Sequence, residues 1–191
     1  MSTKTAILES ARTLIQTRGV NGMSYEDVSA AVGIRKASIH YHFASKADLV
    51  EAVIDRYAER FDEAVVRIMA SEAPGAHRLR AFTGLFRQTL EAGDGSICLC
   101  GMLAAEISTL DTASRERVRG FFERGAQALA SILRTGGEDG SLRPSEDPEG
   151  SGLMLFSALE GVLLAARIDG RAERFDELVE PLLDLMKPLN P

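Results

Sequence analysis

Along the whole 191-residue chain apolar residues recur at helical spacing, and no stretch alternates apolar and polar residues long enough to make a strand. A chain with that single period buries its apolar stripes helix against helix, so the expected fold class is all-α, with about nine helices. Ile7, Leu8, Ala11, Leu14 and Ile15 form the first stripe, and Gly19 ends it. Ser24-Tyr25-Glu26-Asp27 has the pattern of a capping box, which predicts a short helix from Tyr25 to Val32, stopped by Gly33 as a left-handed cap. A third short helix is expected from about Lys36 to Phe43. Ser45-Lys46-Ala47-Asp48 is a second capping box, opening a long helix with Leu49, Val53, Tyr57, Phe61, Val65 and Ile68 inward and closed by Pro74-Gly75. Later helices are expected near 76–92, 98–109, 112–135, 148–169 and 171–188. The breaks between them fall at Gly93-Asp94-Gly95, at the loop Gly136-Gly137-Glu138-Asp139-Gly140 and at Gly170.

Two short helices joined at a glycine, the second one basic, have the plan of a helix-turn-helix. Val28, Val32, Ile34, Ile39 and Phe43 are spaced to make one small core between them. Gly33 supplies a positive-φ turn at no Cβ penalty. Arg35, Lys36, Ser38 and Tyr41 are left for the outer face, within reach of a major groove. The net charge of -6 is unevenly spread: residues 1–60 carry 8 Lys+Arg against 7 Asp+Glu, and residues 61–191 carry 14 against 21. Between Gly33 and Ala47 stand Arg35, Lys36 and Lys46 with His40 and His42 and no acid. An acidic protein with one local basic stretch fits a DNA-binding end on a body that repels DNA. A solvated lysine face is the commoner origin of such a patch when it stands alone.

The stretch Val32-Gly33-Ile34-Arg35-Lys36-Ala37-Ser38-Ile39-His40-Tyr41-His42-Phe43-Ala44-Ser45-Lys46-Ala47-Asp48-Leu49 closely resembles the signature of the TetR/AcrR family of transcriptional regulators. The likeness runs in order over about residues 5–55, and beyond them it rests on length, helix count and a glycine-centred eighth helix. It implies an N-terminal three-helix DNA-binding domain over residues 1–48 and a helical effector-binding and dimerisation domain over 49–191. It also implies roles: Lys36, Ala37, Ser38 and Tyr41 stand where the family reads bases, and Tyr25, His40, His42 and Lys46 where it grips phosphates. A lysine can donate to guanine O6 or N7, and an alanine methyl can touch thymine. Lys46 at a helix start puts its charge and free amides toward one phosphate. Arg35 departs from the pattern by standing where a Ser cap is frequent, so either the cap is weak or Arg35 itself meets DNA. Without the family pattern, His40 and His42 would read as solvated and Tyr41 as packed on the first helix.

The eighth helix is apolar nearly all round, so it is expected to be buried on more than one side. Ser157, Gly161 and Ala165 make a stripe of small residues that admits a close neighbour, and Phe175, Leu178, Val179, Leu182, Leu183 and Met186 line the ninth helix. The resemblance implies that these two helices pair with their mates in a homodimer, so Ser157, Gly161, Ala165, Phe175 and Leu182 are the expected interface; a monomer whose last helix covers the eighth is the alternative. The expected partners are a palindromic double-stranded operator and a small lipophilic effector, with Phe82, Phe86, Cys98, Met102, Phe121, Phe122 and Phe156 as pocket candidates, each also a plausible core residue.

Cys98 and Cys100 point to nearly opposite sides of a helix, so a disulfide between them would be strained. They are read either as small buried hydrophobes or, in a first helical turn, as thiols of lowered pKa that sense oxidants or electrophiles. A CxC without further ligands is no metal site, and no cofactor is expected. An enzyme is the class-distinct alternative. No G-x-S-x-G, P-loop or H-E-x-x-H occurs, and of three histidines His40 and His42 lie in the DNA element, leaving His77. No uninterrupted apolar run reaches the roughly 18 residues of a membrane span, and the N-terminus has no signal-peptide core. With two cysteines and no disulfide framework, the expected location is the cytoplasm.

Overall fold

A computed structural model describes residues 2–91 and 95–188. Within them the chain runs α1 (Thr3–Arg18), α2 (Tyr25–Val32), α3 (Lys36–His42), α4 (Lys46–Met69), α5 (Gly75–Leu90) and α6 (Leu99–Ala105). A 3-10 turn over Ile107–Thr109 follows, then α7 (Thr112–Glu138), α8 (Pro148–Asp169) and α9 (Glu173–Asp184). No strand occurs among the described residues, so the all-α expectation holds. Of the break expected at Gly93-Asp94-Gly95, Gly93 and Asp94 lie outside the described residues, and Gly95 takes φ 78°.

The residues divide into two compact units, 1–59 with 96–121 and 60–95 with 122–191. The divisions fall inside α4 and α7, whereas the sequence suggested a single cut after residue 48.

The first unit packs α1 to α3 and the start of α4 around Ile7, Ala11, Ile15, Val28, Ile39, Phe43 and Leu49, all buried. Val32 and Ile34, expected in that core, are half-buried. α6 is tied to α1 at both of its ends. At the front, Gln16 Nε2 donates to the Ile97 carbonyl at 2.6 Å. At the back, the Glu106 carboxylate accepts from the Val20 N–H and from Asn21 Nδ2, the latter at 2.9 Å. A second string links α1 to α4: Arg56 Nε and Arg12 Nε both donate to Glu9, at 3.0 and 3.1 Å.

In the second unit four phenylalanines gather around Phe156, whose ring lies 5.3 Å from Phe122, 5.4 Å from Phe86, 6.4 Å from Phe82 and 6.5 Å from Phe61. The slot for that ring exists because α7 carries Gly125 there, where a Cβ would stand 2.1 Å from Phe156 Cε2. The loop expected from Gly136 is instead the last turn of α7 as far as Glu138. Packing overrides the low helix propensity of glycine here, because a Cβ on Gly136 would collide with Leu142 at 2.4 Å and a Cβ on Gly75 would stand 2.3 Å from the Gly136 Cα. α8 is by length and composition alone able to cross a membrane, although charged residues interrupt it. Its Leu155, Phe156, Leu159 and Leu163 are buried in the unit, while Leu153, Met154, Leu164 and Ile168 are exposed on another face.

Candidate nucleic-acid interface

The interface is built from two capped helices and the turn between them. Ser24 caps α2, its Oγ accepting from the Asp27 N–H at 3.2 Å while Asp27 accepts from the Ser24 N–H at 2.9 Å. Those bonds hold the Asp27 carboxyl below its ordinary pKa, the Ser24 hydroxyl having the largest effect. Gly33 ends α2 at φ 74°, ψ 34°, the left-handed cap read from the sequence. Ser45 and Asp48 make the second reciprocal box, at 3.1 and 2.9 Å, and aim the start of α4. α3 starts at Lys36, and its N-cap residue Arg35 makes no side-chain cap, which leaves the guanidinium exposed.

On α3 the side chains sort by face. Ile39 and the following Phe43 are buried, while Lys36, Ala37, His40 and Tyr41 are exposed and Ser38 is half-buried. Tyr41 is 86% exposed, so it does not pack on α1. Its ring lies 5.1 Å from that of His42, at an interplanar angle of 78°. Lys46 is exposed at the first position of α4, beside the Ser45 cap. These residues present one surface of cations, ring faces and a methyl, the chemical mixture that duplex grooves and phosphates take.

Tyr25 is buried, and its hydroxyl donates to the carbonyls of Phe43 at 3.1 Å and Ser45 at 2.6 Å. Burial and the nearby Asp48 charge push its pKa up. The ring lies 4.8 Å from that of His40. The Tyr25 hydroxyl thus braces the α3–α4 turn from within the protein. Glu26 is a residue that the sequence reading missed: both its oxygens accept from Lys36 Nζ, at 2.9 and 3.0 Å. No spacing rule announces a pair ten residues apart on different helices.

Elsewhere the expected residues separate. Phe82, Phe86, Phe122 and Phe156 gather in the second unit, whereas Cys98, Met102 and Phe121 belong to the first. Phe121 packs there on Tyr57 at 5.7 Å. Cys98 caps α6, its Sγ accepting from the Gly101 N–H at 3.4 Å. Both cysteines are buried, 2% and 0% exposed. Of the expected dimer residues, Ser157 and Gly161 are exposed and Ala165 and Leu182 half-buried. Phe175 is 1% exposed and lies on the buried stripe of α9 with Val179 and Leu183. The period of α9 puts those three on one stripe and Leu178, Leu182 and Leu185 on the next.

Comparison with known proteins agrees with this arrangement. A family model described as "Bacterial regulatory proteins, tetR family" matches residues 7–53, and one described as "Tetracyclin repressor-like, C-terminal domain" matches residues 75–182. The crystal structure of a TetR-family transcriptional regulator from Agrobacterium tumefaciens is similar with a TM-score of 0.90 at 31% identity, over 96% of this chain and 97% of that one. Among curated proteins, the HTH-type transcriptional repressor DhaR of Mycobacterium sp. strain GP1 is 24% identical over 183 residues, 95% of this chain and 91% of that protein. The transcriptional regulator AcuR of Cereibacter sphaeroides is 28% identical over 165 residues, 82% of this chain and 72% of that protein.

Proposed function

The chain belongs to the tetR family of bacterial regulatory proteins, and from that premise we propose that it is a DNA-binding transcriptional repressor released from its operator by a small lipophilic effector. The observation that carries this reading is the outward surface of α3 and the start of α4, where Arg35, Lys36, Ala37, Tyr41 and Lys46 are exposed together on a capped helix-turn-helix. Lys36, Ala37, Ser38 and Tyr41 read bases; Arg35, His40, His42 and Lys46 hold the backbone. One recognition helix reads a few base pairs, so operator affinity requires two, one helical turn apart on a palindrome. The homodimer that supplies them forms on the exposed face of α8 (Leu153, Ser157, Gly161, Leu164, Ile168) with Leu182 and Leu185 of α9. Leu153, Leu164, Ile168 and Leu185 are exposed there, and apolar side chains gathered on one exposed face mark an association surface. The effector meets the phenylalanines around Phe156, and its binding moves α4, which leads from the aromatic residue Phe61 back to Lys46. No catalytic step is assigned to the chain.

The test is enrichment of bound sequences from a random duplex pool, then titration of the best-bound duplex and a scrambled one across salt. A palindrome with half-sites about 10 base pairs apart and affinity falling steeply between roughly 50 and 200 mM salt are expected. Equal, salt-insensitive binding of both duplexes would overturn the reading.

A further inference from the structure

We propose that Glu26 is a specificity-determining residue, which holds the Lys36 ammonium in one orientation on the DNA face and keeps it from neutralising phosphates at large. The inference rests on the reading of α3 as the helix that enters the groove. Lys36 is the first residue of α3 and Glu26 lies in the first turn of α2, so their pair closes the helix-turn-helix from outside. The ammonium stands almost equidistant from both carboxylate oxygens, at 2.9 and 3.0 Å. Both side chains stay substantially exposed, Lys36 by 49% and Glu26 by 71%, so the pair adds little to stability and is open to a ligand.

The chemistry follows from counting donors. A lysine ammonium has three N–H groups and no preferred plane, which makes it a poor discriminator among acceptors. A carboxylate that engages one side of it fixes where the remaining donors point. A fixed donor can reach guanine O6 or N7 at one position of the half-site, whereas a free lysine swings to the nearest phosphate. The same pair cancels one of the three cations of the Arg35-to-Lys46 stretch. Sequence-independent affinity comes from phosphate neutralisation, so the cancelled charge lowers binding to every duplex while the fixed donor keeps binding to the right one. Nothing else in the first turn of α3 supplies a counter-charge: that turn has no acid and its cap residue is Arg35. The Glu26 carboxyl is held below its ordinary pKa, first by the hydrogen bond from Lys36, so it is ionised wherever the protein binds DNA.

The experiment compares the full-length wild type with Glu26→Gln, Lys36→Ala and the double variant, on the best-bound duplex from a random pool and on a scrambled duplex. Circular dichroism and thermal melting confirm that each is folded. Glu26→Gln is expected to tighten binding to the scrambled duplex about tenfold at 0.1 M salt and to steepen its salt slope by roughly 0.9, the value of one released phosphate contact. Its ratio of best-bound to scrambled affinity should fall by about the same factor, with one position per half-site losing its base preference. In the Lys36→Ala background the same Glu26→Gln change should leave slope and base preference where Lys36→Ala put them. If Glu26→Gln steepens the slope equally with and without Lys36, Glu26 acts only as a repelling charge and the proposal falls. An unchanged base preference in Glu26→Gln would also overturn it. A wild type that binds no duplex would remove the DNA-binding reading itself, and this inference with it.

Discussion

The side-chain amide of Gln16 donates a 2.6 Å hydrogen bond to the backbone carbonyl of Ile97, across 81 residues of sequence. Gln16 and Ile97 are each 1% exposed, so neither group can turn to water instead. The pair fastens α1, which contributes Ile7, Ala11 and Ile15 to the core of the first unit, to the segment just ahead of α6. Gln16→Leu keeps the volume and removes the donor. A buried carbonyl left without a partner costs about 1–3 kcal/mol, and that is the expected loss in a urea titration. Glu106→Ala should lower stability in the same direction, because it leaves the Val20 N–H and the Asn21 amide without their shared acceptor. A Gln16→Leu protein as stable as wild type would mean that the Ile97 carbonyl finds another donor.

The two capping boxes, the left-handed glycine and the α2 bounds were legible in the sequence because each is a local bargain among four neighbouring residues. Ser24 with Asp27 and Ser45 with Asp48 are paired in space as they are paired in the text. What was not legible is what depends on a crossing. Glu26 meets Lys36, and Glu106 meets Asn21, only because separate elements of the chain cross there. The same holds for Gly136, whose glycine signals a break in isolation and a close contact with Leu142 once packed. The face of Phe175 was ambiguous because α9 has apolar residues on two adjacent stripes, and periodicity alone does not say which stripe turns inward.

Tyr25 and Lys46 should separate in a binding assay. Tyr25→Phe removes a hydroxyl that donates to Phe43 and Ser45 carbonyls, so it should cost about 0.5–1.5 kcal/mol of stability and leave the salt slope of DNA binding unchanged. Lys46→Ala should instead flatten the slope by roughly one unit on every duplex and leave base preference alone. Thermal melting and salt titration read the two effects independently. A flattened slope in Tyr25→Phe would restore Tyr25 to the phosphate contacts.

The two thiols give the sensor question a direct answer. A thiol reacts as its thiolate and must be reached by the reagent, whereas Cys98 and Cys100 are both buried. Brief exposure to a maleimide or quinone should therefore leave operator binding unchanged, in wild type and in the Cys98→Ser, Cys100→Ser double variant alike. Loss of binding in wild type alone would make the thiols the sensor and the aromatic cluster plain core.

Gly161 isolates the dimer from the fold. It is exposed in the middle of α8, and a Cβ built there would meet nothing within 4 Å of its own chain. A larger side chain is therefore tolerated by the protomer, and glycine in mid-helix is itself the poorer helix former by about 1 kcal/mol. In a monomer, Gly161→Leu should be neutral or mildly stabilising. In a homodimer built on Leu153, Ser157, Gly161, Leu164 and Ile168, the added side chain enters a close helix–helix approach, and overpacking of that kind costs on the order of 1–3 kcal/mol. Sedimentation at micromolar concentration should then find wild-type dimers and Gly161→Leu monomers or aggregates, with operator binding lost in step because one recognition helix is too few. A stabilised Gly161→Leu protein that still binds its operator as a dimer would place the interface elsewhere on the chain.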